Sequence, residues 1–135
     1  MLNVLVIDAQ GGGIGKQVVK ALADSGLNIK ITAIGTNSAA TQAMLKAGAG
    51  EGATGENPVR VAVKSADVII GPIGIVIADS MLGEITAKMA EAICTADATR
   101  ILIPMNQCSN CIVGVKGTSL REMIDEVVSR VSELQ

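Results

Sequence analysis

The sequence of 135 residues contains no histidine, phenylalanine, tyrosine or tryptophan. Without histidine there is no imidazole base near neutral pH, no histidine metal ligand and no catalytic triad that depends on imidazole. Without tyrosine there is no phenolic acid/base of the kind that short-chain reductases use. Without aromatic rings there is no stacking platform for single-stranded nucleic acid, so any bound base must rest on aliphatic surface.

Charge of one sign and long apolar runs are also scarce. The 11 basic and 13 acidic side chains give a net charge of −2, so there is no basic surface for a phosphate backbone and we expect no nucleic-acid partner. Every uncharged stretch, including residues 31–45, 68–78 and 101–115, is shorter than the roughly 20 residues of a membrane-spanning helix. No secretory signal pattern opens the sequence, which favours a cytoplasmic protein without membrane contact.

Short apolar runs alternate with segments of helical period, which indicates an α/β fold. The runs predict strands at residues 2–7, 29–34, 68–70, 100–103 and 111–115, and helices at 13–25, 38–47, 59–65, 84–95 and 120–134. The glycine-rich stretch 48–55 is predicted to be a loop, and Ser119 with Glu122 a capping box. We therefore expect one Rossmann-like domain over residues 1–135, with three layers and a doubly wound, mostly parallel five-stranded sheet.

A glycine-rich turn joins the first predicted strand to the first predicted helix, which is where such a turn binds phosphate. Its candidate ligand-binding residues are Asp8, Gln10, Gly11, Gly12, Gly13, Ile14, Gly15 and Lys16. Glycines let the backbone approach an anion closely, and the start of the helix offers unpaired N–H groups and the positive end of its dipole. A plain tight turn with a solvated lysine is the alternative interpretation.

Two phosphate-binding templates fit this turn incompletely. Gly13 and Gly15 resemble the short-chain reductase turn, although Ala9 stands where its first glycine would fall. Gly15 and Lys16 would match a P-loop, but Gln17 replaces the hydroxyl residue that holds magnesium. We therefore favour a Rossmann-like binder over a nucleoside triphosphatase.

The end of the second predicted strand lacks the acid that binds ribose hydroxyls in ordinary NAD sites. It reads Gly35, Thr36, Asn37 and Ser38. The last three could receive a 2′-phosphate, as in an NADP-like dinucleotide, or could simply cap the next helix. Gly71, Pro72 and Gly74 follow the third predicted strand, and Asn106 and Gln107 the fourth, so all should meet at one crevice. Glu56 is the first candidate for an acid/base.

Three cysteines leave an odd count, which argues against structural disulfides. Cys108 and Cys111 form one C-x-x-C pair, whereas Cys94 stands alone. One pair supplies two of the four ligands that zinc usually takes, and it precedes a predicted strand rather than a helix. A thiolate metal or redox site is therefore a weak alternative function, and incidental reduced thiols are favoured.

Several long loop segments carry a resemblance to a known family. They are residues 6–16, 33–46 with Gly35-Thr36-Asn37, 48–57, 68–84 with Gly71-Pro72-Ile73-Gly74, and 101–106. On these segments the chain resembles a small bacterial family, domain of unknown function 3842. The resemblance implies a stand-alone Rossmann-like domain and brings no activity or ligand with it.

These observations favour a sensor, regulator or accessory protein that binds a nucleotide or another phosphate-bearing ligand at the glycine-rich turn. The alternatives are the thiolate site and a structural protein that forms oligomers. A domain of this size buries only about 70% of its chain surface, so we expect a homodimer. The methionine-containing segment 81–93 is the candidate face, with burial in the core as the alternative.

Overall fold

The computed structural model describes residues 1–105 and 109–135. Its strands are β1 (Leu2–Asp8), β2 (Ile29–Gly35), β3 (Glu51–Thr54), β4 (Val68–Pro72) and β5 (Thr99–Ile103). Its helices are α1 (Gly13–Ala23), α2 (Ser38–Ala47), α3 (Glu56–Ala62), α4 (Ala87–Thr95) and α5 (Leu120–Glu133), and a short 3₁₀ helix lies at Ile73–Val76. Within these ranges no helix combines the length and apolar character that crossing a bilayer requires.

The five strands form one sheet in the order β3-β2-β1-β4-β5. All four neighbouring pairs are parallel. The chain first builds outward from β1 to β3, then crosses to the other side of β1 and continues through β4 and β5. The strand order therefore reverses between β1 and β4, which is where doubly wound sheets bind ligands.

Helices cover both faces of the sheet, which gives three layers. One apolar cluster joins the sheet to α1, α2 and α5 through residues such as Val18, Met44 and Val127. The other joins it to α3 and α4 through Val59 and Ile93, among others. The predicted α/β fold with a doubly wound parallel sheet and a Rossmann-like architecture is confirmed.

One predicted loop and one predicted strand are wrong. The glycine-rich stretch 48–55 contains β3, which pairs with β2 from Thr32 opposite Glu51 to Gly35 opposite Thr54. Residues 111–115 form no strand. Val113 there is 90% exposed, so this apolar run lacks the partner strand that would bury it.

Two further expectations concern the segment before α4. The helix predicted from residue 84 begins instead at Ala87, because the Thr86 hydroxyl caps it by accepting from the N–H of Met89 at 3.1 Å. The proposed oligomer face at 81–93 points largely inward. Met81, Ile85, Met89, Ala90 and Ile93 are all buried in the core, so the core alternative holds for these side chains.

Candidate functional site

A cleft of about 270 Å³ lies at the carboxyl ends of β1 and β4, where the strand order reverses. It is lined by Asp8, Ala9, Gln10, Gly11, Gly12, Gly13, Ile14, Pro72, Met81 and Met105. One wall is the backbone of the β1–α1 turn, and the other consists of apolar side chains. Polar backbone on one side and aliphatic surface on the other suit a ligand with a charged part and a flat apolar part.

Asp8 ends β1 and is bound inside the turn. Its Oδ1 accepts from the N–H of Ala9 at 2.8 Å and its Oδ2 accepts from the N–H of Gly15 at 2.7 Å. Burial raises the pKa of this carboxyl, whereas the N–H donors of Gly15, Ala9 and Ile14 act in the opposite direction. The side chain thus fixes the turn to the start of α1 and satisfies N–H groups that would otherwise face the cleft.

The glycines of the turn differ in what a side chain at each position would meet. Gly12 has φ of 72°, and a Cβ on it would lie 2.9 Å from the Cα of Ala40. A Cβ on Gly15 would lie 2.7 Å from Sδ of Met44. These two glycines therefore let α1 approach α2 and β1 closely. A Cβ on Gly11 or Gly13 would meet nothing within 4 Å, so these two border open space.

Most N–H groups of the turn already have acceptors. That of Gly12 donates to the carbonyl of Ala9, and that of Gln10 donates to Oε1 of Glu84. Among the residues that the structure describes, the N–H groups of Gly11 and Gly13 have no acceptor. Both lie at the amino terminus of α1, where the helix dipole favours an anion.

Glu84 connects two loops at this edge of the sheet. Its Oε1 accepts from the N–H of Gln10 at 2.9 Å, from Oγ1 of Thr36 at 2.5 Å and from Nδ2 of Asn37 at 2.9 Å. The Thr36 hydroxyl, followed by the Gln10 N–H, lowers the pKa of Glu84 below its ordinary value. The carboxylate is therefore ionised at neutral pH and lies between the ends of β1 and β2.

The segment that brings Glu84 here, residues 77–86, has an unusual backbone. We call it the strap. Asp79, Met81 and Leu82 have φ of 64°, 55° and 58°, and Gly83 follows with 85°. Methionine and leucine adopt this left-handed region at a cost, whereas glycine, asparagine and aspartate tolerate it. The turns let the strap place Met81 against the cleft and Glu84 against the end of β2 within four residues.

The loop after β2 is organised around two polar side chains. Asn37 caps α2 by accepting from the N–H of Ala40 at 2.9 Å, and its Nδ2 also donates to the carbonyl of Gln10 at 2.8 Å. Thr41 accepts from the N–H of Gly35 at 3.1 Å. Ser38 is the exposed first residue of α2. Thr36 and Asn37 therefore belong to the Glu84 cluster, whereas Ser38 does not.

Three residues at and after the end of β4 were predicted to bind ligand, and the two glycines among them allow close packing. A Cβ on Gly71 would overlap the carbonyl oxygen of Ile7, so Gly71 lets β4 lie against β1. Pro72 lines the cleft. Gly74 lies under Met81, and its carbonyl accepts from the hydroxyl of Ser80. Of these three residues, only Pro72 is in the lining of the cleft.

The other predicted residues lie outside the cleft or outside the described residues. Lys16 is exposed on the first turn of α1 and has no ion-pair partner among the described residues. Glu56 accepts from the Thr86 hydroxyl at 2.6 Å and so joins α3 to α4. Asn106, Gln107 and Cys108 are not described. Cys94 and Cys111 are free and exposed, and residues 1–105 with 109–135 contain no group of three or more metal-binding side chains.

Four larger clefts, of about 370 to 580 Å³, lie away from the β1–α1 turn. One of about 510 Å³ runs between β5 and α5, and one of about 580 Å³ lies near the amino-terminal ends of β1 and β2. Their charged side chains already have partners: Arg130 contacts Glu126, and Lys30 contacts Glu51. Among the described residues, neither of these two clefts includes an amino-terminal helix turn with unbound N–H groups, so the cleft at the β1–α1 turn is a better candidate than either despite its size.

A protein-family model matches nearly the whole chain. The model described as Domain of unknown function (DUF3842) matches residues 3–135. The chain belongs to this family. The match confirms the resemblance drawn from the loop segments, and no curated protein matches this DUF3842 chain.

Among solved structures, the DUF3842 chain is similar to a dodecameric FMN-dependent UbiX-like decarboxylase from Escherichia coli O157:H7. The TM-score is 0.54, the sequences are 13% identical, and the match covers 99% of this chain and 93% of that one. At this identity the likeness shows the fold. It supports the Rossmann-like architecture of the DUF3842 chain over nearly its whole length.

Sequence reasoning missed Glu84, Met81 and Met105 as residues of the site in this DUF3842 protein. Glu84 falls in the predicted helix 84–95. Met81 falls in the segment proposed as an oligomer face, with core burial as the alternative, and Met105 falls in no predicted element. One signal was present: the end of β2 lacks an acid, whereas an acid follows the glycine-punctuated connection after β4. Local periodicity cannot show that this connection reaches back across β1, because that contact spans 48 residues.

Proposed function

We propose that this domain binds a nucleotide or a related phosphate-bearing ligand, with its phosphate at Gly11 and Gly13. The observation that carries the proposal is that these two N–H groups have no acceptor in the described structure, at a helix start that borders open space. Oriented N–H groups at the positive end of a helix dipole favour an anion. Lys16, exposed on the same helical turn, supplies a nearby positive charge.

The opposite wall of the cleft supports a ligand with a ring system. Pro72, Met81 and Met105 present aliphatic surface, which can hold a flat base or flavin where no aromatic side chain exists in the sequence. The E. coli protein of similar fold is described as FMN-dependent. FMN, which joins one phosphate to a ring system, is therefore one of the candidate ligands, beside adenine nucleotides.

The role that suits this site is that of a cytoplasmic sensor, regulator or accessory protein. Asp8 is the carboxylate in the lining of the cleft, and it is bound by the turn itself. Glu84 lies beside the turn, and its Oε1 is bound by Gln10, Thr36 and Asn37. Neither is placed as a free acid/base beside the open N–H groups. A bound ligand would instead contact the strap, which could report its presence to a partner.

The proposal is tested by titrating the protein with FMN, NAD⁺ and ATP in a calorimeter. Gly13→Asp adds a negative charge where a Cβ meets nothing, and an acidic residue in the first turn of a helix favours folding. We expect this variant to weaken binding by at least about tenfold, through charge repulsion. Gly50→Asp is the matched control, because a Cβ there lies 3.6 Å from its nearest contact and far from the turn. Equal affinities for all three proteins, or no binding of any ligand by the unchanged chain, would contradict the proposal.

We also propose that the chain forms a homodimer. The E. coli protein of similar fold is described as dodecameric, and β5 pairs with β4 on one side only among the described residues. An unpaired strand edge is a common place for association. Native mass spectrometry of the purified protein measures the subunit number and any co-purified nucleotide in one spectrum. A spectrum with only monomer at micromolar concentration would contradict the dimer.

A further inference from the structure

The position of Glu84 matches that of a ribose-binding acid, although it comes from another part of the chain. In dinucleotide-binding Rossmann domains an acid at the end of the second strand binds the ribose hydroxyls. Here that strand ends in Gly35, and no acid follows it directly. Instead, Oε1 of Glu84 lies 2.5 Å from Oγ1 of Thr36, the first residue after β2. The strap thus brings a carboxylate to the place where the local sequence lacks one.

Only one oxygen of this carboxylate is used within the protein. All three donors, from Gln10, Thr36 and Asn37, contact Oε1. Oε2 has no donor among the described residues, and the side chain is only partly buried. A carboxylate accepts hydrogen bonds at both oxygens. The free oxygen can therefore accept from a hydroxyl group, while the three bonds to Oε1 hold the side chain in place.

The same contacts engage two of the three side chains that the sequence offers as 2′-phosphate donors, Thr36 and Asn37, and leave the exposed Ser38 as the third. The hydroxyl of Thr36 and the amide of Asn37, which the sequence offered as 2′-phosphate donors, already donate to Glu84. The ionised Glu84 would repel a second negative group, since like charges at close range oppose binding. No arginine lies in the lining of the cleft or in the Glu84 cluster. The negative charge of Glu84 therefore favours neutral hydroxyl groups over a phosphate at the end of β2.

We propose that Glu84 binds a ribose hydroxyl of the ligand and selects nucleotides with a free 2′-hydroxyl over 2′-phosphorylated ones. This inference rests on the proposed nucleotide binding at Gly11 and Gly13. It adds the class of ligand: adenine nucleotides of the NAD type rather than the NADP type. It also assigns the discrimination between NAD and NADP types to Glu84. This residue lies outside both the glycine-rich turn and the segment 35–38 at the end of the second predicted strand.

NAD⁺ and NADP⁺ test the inference, because they differ only in the 2′-phosphate. We would measure both affinities for the unchanged protein, for Glu84→Gln and for Glu91→Gln by calorimetry, with folding checked by circular dichroism. Glu91 is exposed on α4, so its substitution removes the same charge away from the site. We expect the unchanged protein and Glu91→Gln to prefer NAD⁺ by at least about tenfold, as for loss of a charged hydrogen bond. In Glu84→Gln the preference should fall below about threefold.

Each outcome separates the two proposals. If FMN or ATP binds but the unchanged protein binds NAD⁺ and NADP⁺ equally, or binds neither, the role of Glu84 is wrong while phosphate binding at the turn stands. If Glu84→Gln is folded and keeps the full preference for NAD⁺, another residue discriminates and the inference is wrong. If no nucleotide binds and Gly13→Asp changes nothing, both the proposed function and this inference are wrong.

Discussion

The hydroxyl of Thr36 donates a hydrogen bond of 2.5 Å to Oε1 of Glu84, across 48 residues of sequence. This bond joins the strap to the end of β2, and the bond from Gln10 N–H to the same oxygen joins the strap to the β1–α1 turn. Three connections at one edge of the sheet are thus fixed relative to one another by a single carboxylate. Because that carboxylate is ionised when it makes these bonds, the arrangement depends on pH.

Glu84→Gln should lower the stability of the protein at neutral pH and leave it unchanged in acid. The folded-state pKa of Glu84 is lowered by the Thr36 hydroxyl and the Gln10 N–H. Its contribution is therefore present above the pKa of the unfolded chain and is lost as the pH falls through the folded-state value. Because the side chain is partly exposed, we expect a loss of about 1 kcal/mol at neutral pH.

Urea unfolding of both proteins between about pH 7 and about pH 3 measures this difference. Carboxylates distant from Glu84 titrate alike in both proteins, and the charge of Glu84 is the smallest of the contributions that shift the pKa of Asp8, so the difference reports mainly on Glu84. Glu91→Gln is the control, since that side chain is exposed on α4. A difference that stays constant over this range would mean that Glu84 acts through packing rather than through its charge.

Thr41→Val should destabilise the fold although the two side chains are almost equal in size. Thr41 is buried, and its hydroxyl accepts from the N–H of Gly35 at 3.1 Å and shares a hydrogen bond with Thr54 at 2.7 Å. Valine would remove the hydroxyl that lies within hydrogen-bond distance of the carbonyls of Asn37 and Ala53 and of the Thr54 hydroxyl. The expected loss is about 1–3 kcal/mol, measured by chemical unfolding. Thr41→Ser keeps the hydroxyl and removes one methyl group. A larger loss of stability in Thr41→Ser than in Thr41→Val would contradict this account.

Gly15→Ala should destabilise the protein, and Gly13→Ala should not. A Cβ on Gly15 would lie 2.7 Å from Sδ of Met44 and 2.8 Å from Cβ of Asp8, whereas one on Gly13 meets nothing within 4 Å. We expect a loss of about 1–3 kcal/mol for Gly15→Ala through overpacking and a change within about 0.5 kcal/mol for Gly13→Ala. Thermal and urea unfolding of the two variants give the comparison. Equal losses would show that the turn needs its glycines for conformational freedom and not for close packing.

The sequence was sufficient to predict the elements that carry strong periodicity. β1 and β2 are buried apolar runs, and α5 places Ile124, Val127 and Val131 on one buried face. Ser119 caps α5 as expected, by accepting from the N–H of Glu122 at 3.1 Å. In the predicted capping box the Glu122 side chain would accept from the backbone of Ser119, but it instead accepts from the hydroxyl. Local signals of this kind are strong because neighbouring residues decide them.

The parts that could not be predicted depend on contacts distant in sequence. β3 is a short, largely exposed edge strand of sequence Glu-Gly-Ala-Thr, and it exists because β2 offers a free edge. The run at 111–115 is more apolar but finds no such edge, and so forms no strand. Glu84 reaches the end of β2 because the strap adopts left-handed backbone at three non-glycine residues. Aspartate tolerates that conformation, but no propensity of Met81 or Leu82 favours it.

Leu82→Asn should stabilise the protein by relieving this backbone. Leu82 has φ of 58° and is 93% exposed, so its side chain contributes little burial in exchange for the strained conformation. Asparagine adopts the left-handed region more readily, and we expect a gain of about 0.5–1 kcal/mol in the free energy of unfolding.

Val113→Asn is the matched control, because Val113 is 90% exposed and lies outside the left-handed region. It should change stability by less than about 0.5 kcal/mol. Equal gains in both variants would assign the effect to the loss of exposed apolar surface. A gain confined to Leu82→Asn would mean that the strap holds Glu84 at β2 against a backbone cost.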